Sequence, residues 1–90
     1  MTLKVNSSME GDAVVFALCG RIREDQVAEL KALFTSAAAE RNTILDIANV
    51  KLIDRGAVRF LAEQEGNGMT LRNCPAYIRE WILRERNSNQ

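Results

Sequence analysis

The stretch from Ile44 to Ala62, ILDIANVKLIDRGAVRFLA, changes its hydrophobic period part-way. It begins as an apolar strand, with Leu45 and Ile47 on one side and Ile44, Asp46 and Ala48 on the other. A polar turn is expected over Asn49 to Ile53, and a helix restarts at Asp54 carrying Ala57, Val58, Leu61 and Ala62 at helical spacing. A strand that leads directly into an amphipathic helix is half of a βαβ unit, so this stretch commits the chain to an α/β architecture with parallel pairing. Asp54 is a suitable N-cap. The first-turn N–H groups and axial dipole of such a helix favour an anion or a partner's polar surface, so function is expected at this corner.

The flanking sequence extends the pattern. Leu3, Val5, Ser7 and Met9 alternate with Lys4, Asn6, Ser8 and Glu10, the period of a half-buried strand. Glu10-Gly11-Asp12 supplies a turn, and the apolar run Ala13 to Cys19 completes a hairpin that Gly20 is expected to end. Val27, Leu30, Leu33, Phe34 and Ala37 predict a helix from Glu24 to about Glu40, with Glu24 and Asp25 in its first turn and Arg41-Asn42 closing it. Thr43 to Ala48 is the next strand. Glu65-Gly66-Asn67-Gly68 stops the second helix, and Met69 to Arg72 is a short strand. Pro75 is placed at the first position of a last helix carrying Tyr77, Ile78, Trp81 and Ile82.

The order is a β-hairpin followed by helix, strand, helix, strand, helix. In each central strand one parity is large and apolar (Val14, Phe16, Leu18; Leu45, Ile47; Met69, Leu71) and the other small or polar. The expectation is a four-stranded mixed sheet with helices mainly on one face and the second face partly open.

Ninety residues with 47% hydrophobic and 27% charged side chains suit a single globular domain over 1–90, with 87–90 as a frayed tail. Lys plus Arg equals Asp plus Glu at 12 each, so no basic surplus draws the chain to nucleic acid or anionic lipid. No apolar run approaches the ~20 residues that span a bilayer, and MTLKVNSSMEGD lacks a signal-peptide core, which leads to a cytoplasmic expectation. Cys19 and Cys74 then read as reduced thiols, structural before reactive, although a helix start beside Cys74 could lower its pKa. With no histidine, metal sites and Ser-His or Cys-His catalysis lose their usual participant, and no enzyme, metal or cofactor is expected. Asp46 and Asp54 read as a strand-end carboxylate and a helix cap before they read as a catalytic or metal-binding pair. Tyr77 and Trp81 read as packing residues, with Trp81 the larger contributor. The Arg and Glu residues from Arg79 to Arg86 read as a solvated helix face with local ion pairs rather than a nucleic-acid patch.

Three segments in this order, GDAVVFALCGRI, ILDIANVKLID and MTLRNCPAYIREWI, resemble the STAS domain of bacterial anti-sigma factor antagonists over nearly the whole chain. The resemblance implies a non-enzymatic module that binds a protein partner, such as an anti-sigma factor that is also a serine kinase, and takes part in partner switching and transcription regulation. In that family a serine following the aspartate at the second helix start is phosphorylated, and the added charge blocks the contact. Here Asp46 and Asp54 match the family's aspartates, but Arg55 holds the serine's place, followed by Gly56 and Ala57. No Ser, Thr or Tyr lies between Thr43 and Thr70. The expected partner-binding surface is Asp54, Arg55, Gly56, Val58 and Arg59, with Asn49 and Lys51 at its rim. The alternative is a STAS-type structural subunit of a larger assembly, transporter-associated or stressosome-like. A small-molecule or nucleotide-binding module ranks below both, and a homo-oligomer is compatible with each.

Overall fold

The structure, a computed structural model, describes residues 3–38 and 42–88. It comprises β1 (Lys4–Glu10), β2 (Ala13–Ile22), a 3-10 turn (Glu24–Gln26), α1 (Val27–Ala38), β3 (Asn42–Ile53), α2 (Arg55–Gly66), β4 (Thr70–Arg72) and α3 (Ala76–Ser88). The strands lie in the order β1-β2-β3-β4, with β1 antiparallel to β2 and the other pairs parallel. The expected four-stranded mixed sheet is therefore present. Because the order never reverses, right-handed crossovers through α1 and α2 fall on the same side of the sheet.

That side holds one core. Phe16, Leu18 and Ile22 of β2 and Leu45, Ile47 and Val50 of β3 cluster with Leu30 and Phe34 of α1, Val58, Phe60 and Leu61 of α2, and Ile78 and Ile82 of α3. Phe34 sits at its centre, with ring centroids 5.1 Å from Phe16 and 5.8 Å from Phe60. The opposite face carries Ala17, Cys19, Ile44 and Asp46, all half-buried, and exposed Ala48 and Thr70; Val15 is its one fully buried member. Across this face Arg72 makes a two-pronged ion pair with Glu10 (2.7 and 2.8 Å), tying edge strand to edge strand.

Several boundaries differ from the sequence expectation. Gly20 does not end β2, which continues to Ile22; its φ of 97° lets the strand bend at a point where the β2–β3 register shifts. The polar stretch Asn49 to Ile53 is not a turn but the second half of β3. Two extra residues in β3, one between Asp46 and Asn49 and one between Val50 and Leu52, break the period-two pattern. At the first irregularity the Asp46 carboxylate accepts from its own chain's Ala48 N–H (3.1 Å), so Asp46 lies mid-strand at a bulge rather than at a strand end.

A 3-10 turn precedes α1, and Leu33, expected inside, is 42% exposed. The expected closure at Glu40 and Arg41 lies outside the described residues, while Asn42 belongs to β3. Pro75 stands one residue before α3 and accepts from Ile78 and Arg79 N–H groups. Asn87 and Ser88 are the last two residues of α3, and residues 89–90 lie outside the described residues.

The charges on α3 are more than a solvated face. Arg79 makes a two-pronged pair with Glu65 of α2 (2.7 and 2.9 Å), and Arg86 reaches the same carboxylate (2.8 Å) and the Ala62 carbonyl. Arg84 with Glu80 is the within-helix pair the sequence implied. Arg79, reinforced by Arg86, holds the Glu65 carboxyl below its ordinary 4.5, against the opposing effect of partial burial. A carboxylate depressed in the folded state contributes stability above its unfolded pKa and loses it as pH falls through the folded one. The urea midpoint should therefore hold steady down to about pH 5 and fall below about pH 4.5. Glu65→Gln should lower the midpoint at neutral pH and make its acid decline shallower; equal slopes for the two proteins would count against this linkage.

Candidate functional site

The corner at the start of α2 is built on the Asp54 carboxylate. One oxygen accepts from the Ala57 N–H (2.9 Å), the expected cap of α2. The other accepts from the Glu24 N–H (2.8 Å), at the first residue of the turn that opens into α1. One side chain thus satisfies amide donors at two helix entrances, and the Asp54 N–H donates to the Ile22 carbonyl at the end of β2 (3.3 Å). The ends of β2 and β3 and the starts of two helices meet at this residue.

Gly56 follows from that convergence. A Cβ built there would lie 2.5 Å from Glu24 Cγ and Cδ and 2.7 Å from Glu24 Cβ. The two distal atoms could swing aside, but the Cβ contact would push on the Glu24 backbone that bonds to Asp54. Gly56 is needed for close approach, although glycine is a poor helix former.

Arg55 and Arg59 project from the first turns of α2, and both reach Glu85 on α3, at 3.4 and 2.8 Å from Nε to the same carboxylate oxygen. Glu85 is 7% exposed, whereas the two arginine side chains are 62% and 57% exposed. The geometry is a sunken carboxylate beneath two outward guanidiniums. Arg59 foremost, and Arg55 with it, hold the Glu85 carboxyl below its ordinary 4.5. Glu85 also lies between two open grooves, one of about 520 Å³ bordered by Arg59 and Arg86 and one of about 470 Å³ bordered by Tyr77 and Trp81.

Asn49, Lys51, Arg55 and Arg59 are exposed, and Asp54 and Gly56 are half-buried. Val58 is the correction: it is fully buried, because its position in α2 turns it into the core, so it supports the corner and touches no visitor. Of residues 49 to 59, Val50, Ala57 and Val58 are buried and the others are half-buried or exposed. Two participants were missed by sequence reasoning. In the sequence Glu85 reads as part of a solvated helix face, and nothing in its spacing signals a link to α2. Leu52, 51% exposed, lies in β3 two residues before Asp54, which a polar-turn reading hides.

Cys74 is half-buried with its thiol 3.6 Å from the Pro75 carbonyl, and burial pushes its pKa up, contrary to an activated thiol. Trp81 packs partly against the core, while Tyr77 is half exposed. Among the described residues no group of three His, Cys, Asp or Glu side chains could hold a metal ion, and no helix is long and apolar enough to cross a membrane.

No protein-family model matches the sequence, and no curated relative does. Solved structures do. The anti-sigma factor antagonist SpoIIAA in its unphosphorylated form superposes with a TM-score of 0.65 at 18% identity, covering 88% of this chain and 79% of that one. An antisigma-factor antagonist STAS domain from Rhodobacter sphaeroides gives 0.59 at 18% identity, covering 78% and 83%. The fold is that of the STAS domain. A crystal structure of Mglu matches with a TM-score of 0.58 at 30% identity over 79% of this chain, which spans only 19% of the Mglu chain. The STAS fold therefore also matches a minor part of a much longer polypeptide.

Asp54→Ala should lower unfolding free energy by about 2 kcal/mol, since it removes a cap and strands the Glu24 N–H as well. Asp54→Asn, with one carbonyl oxygen for two donors, should fall between. Gly56→Ala should destabilise by about 1 kcal/mol despite alanine's better helix propensity. Denaturant titrations by circular dichroism check both, and a stabilised Gly56→Ala protein would show that Glu24 yields freely.

Proposed function

We propose that this STAS-fold chain is a non-enzymatic interaction module, resembling an anti-sigma factor antagonist, that docks a protein partner through the start of α2. The observation that supports it most is the pair of exposed guanidiniums, Arg55 and Arg59, held side by side by a sunken Glu85 at a rigid helix entrance. Asp54 and Gly56 fix the corner, Lys51 and Asn49 extend its rim, and Leu52 adds an apolar contact. A preorganised cationic surface with an apolar neighbour suits an acidic patch on another protein, where charge complementarity steers encounter and register. Arg is also over-represented at energetically dominant interface positions.

The same reading makes the module constitutive. No hydroxyl lies between Thr43 and Thr70, so no serine, threonine or tyrosine phosphate can form on this loop, and partner concentration sets occupancy. A second reading, a STAS-type subunit of a larger assembly, is favoured by one observation, the match to a fifth of the Mglu chain.

The test is calorimetry of the purified chain with anti-sigma factor or serine-kinase products of neighbouring genes. Arg55→Glu should weaken binding about tenfold or more while Arg55→Lys stays within a few-fold. Circular dichroism should show both variants folded, since Arg59 still covers Glu85. Tandem mass spectrometry of peptides after incubation with ATP and the same kinase should place no phosphate on residues 44–69, and a phosphorylated residue there would overturn the constitutive reading. Undiminished binding by Arg55→Glu would remove this corner as the docking surface. Stoichiometric recovery of the chain only within a multi-protein particle would favour the subunit reading.

A further inference from the structure

The sheet has two edges that are built differently. The β4 edge is three residues long, short enough to offer little to a passing strand. The β1 edge is seven residues long, and its pairing with β2 runs without a shift from Lys4 to Glu10. It carries no proline and no bulge, two of the devices by which edge strands are usually blunted.

The edge is also complementary to itself. If two β1 strands meet antiparallel about a two-fold axis at Ser7, Lys4 stands opposite Glu10 of the second copy, Val5 opposite Met9, and Asn6 opposite Ser8. Each of these pairings occurs twice by symmetry, and each is chemically matched: cation with anion, apolar with apolar, polar with polar. A register slipped by one residue would oppose Lys4 to Met9 and put apolar residues across from polar ones.

The faces agree as well. Val5 and Met9 pair with Leu18 and Val14, so they lie on the helix side of the sheet. There a groove of about 200 Å³, bordered by Leu3, Val5, Leu30 and Leu33, runs between β1 and α1. Leu33 is 42% exposed and Met9 53%, so both sides of the encounter present apolar surface to water. Val5 lines the groove and stands opposite Met9 of the second copy, which delivers that flexible thioether side chain towards Leu33. On the other face the two-pronged contact with Arg72 fixes the Glu10 carboxylate at the strand end, while leaving its side chain 58% exposed to an incoming ammonium.

We propose that the occupant of the β1 edge is a second copy of this chain, paired antiparallel about Ser7 to give a continuous eight-stranded sheet. This surface shares no residue with the α2 corner, so the two can be tested apart. Analytical ultracentrifugation of the wild type should report a dimer. Lys4→Glu and Glu10→Lys should each weaken self-association about tenfold or more, because both symmetry-related pairs become like-charged. A one-to-one mixture of the two variants should restore dimers, since each then supplies the charge the other lacks.

Glu10→Lys also loses the Arg72 contact, so a second measurement is independent of it. Ser7→Cys, which faces itself across the axis, should cross-link under mild oxidation much faster than Ser8→Cys, which faces Asn6, with the wild type as control for Cys19 and Cys74. A wild type that stays monomeric to about 1 mM, a mixture of folded variants that fails to pair, or equal cross-linking at positions 7 and 8 would each overturn the proposal.

Discussion

A single carboxylate, that of Asp54, decides how the layers of this molecule join. Two helix entrances each expose amide donors that have no partner within their own helix, and both are close to the ends of β2 and β3. Bringing them together would ordinarily set two dipole-positive termini against each other. One anion between them accepts from both, at 2.8 and 2.9 Å, and converts the repulsion into a shared bond. The tight approach of Glu24 to Gly56 follows from that bond, and the outward projection of Arg55 and Arg59 follows from the helix phase it sets.

The layering follows equally from topology. A sheet whose strands keep sequence order must carry its crossover helices on one side, leaving the other bare. The sequence shows this as a parity difference, with Phe16, Leu18, Leu45 and Ile47 against Ala17, Cys19, Asp46 and Ala48. Burial reproduces it, with Val15 the exception. The hairpin, the three helices and the Asp54 cap were all legible, because each rests on local periodicity or on a side chain bonding within its own turn.

What was not legible required knowledge of a neighbour. The second half of β3 looks like a turn because two inserted residues break the alternation, and only pairing with β2 reveals those residues as bulges. Val58 shares its helix turn with Arg55 and Arg59, so proximity in sequence placed it on the surface, while the direction of the core placed it inside. Glu85 is separated from Arg59 by 26 positions and reads, alone, as one more charge on an amphipathic helix. Its role emerges only when α3 packs on α2.

The Glu85 carboxylate also constrains what position 55 can become. Under the proposed reading, a serine there would remove one of the two cations that cover Glu85, and a phosphate on it would bring a dianion towards the same sunken charge. A single substitution at the entrance would therefore meet an electrostatic obstacle laid down on another helix. Installing a phosphate switch here calls for two coordinated changes, one in α2 and a neutralising one at position 85 in α3.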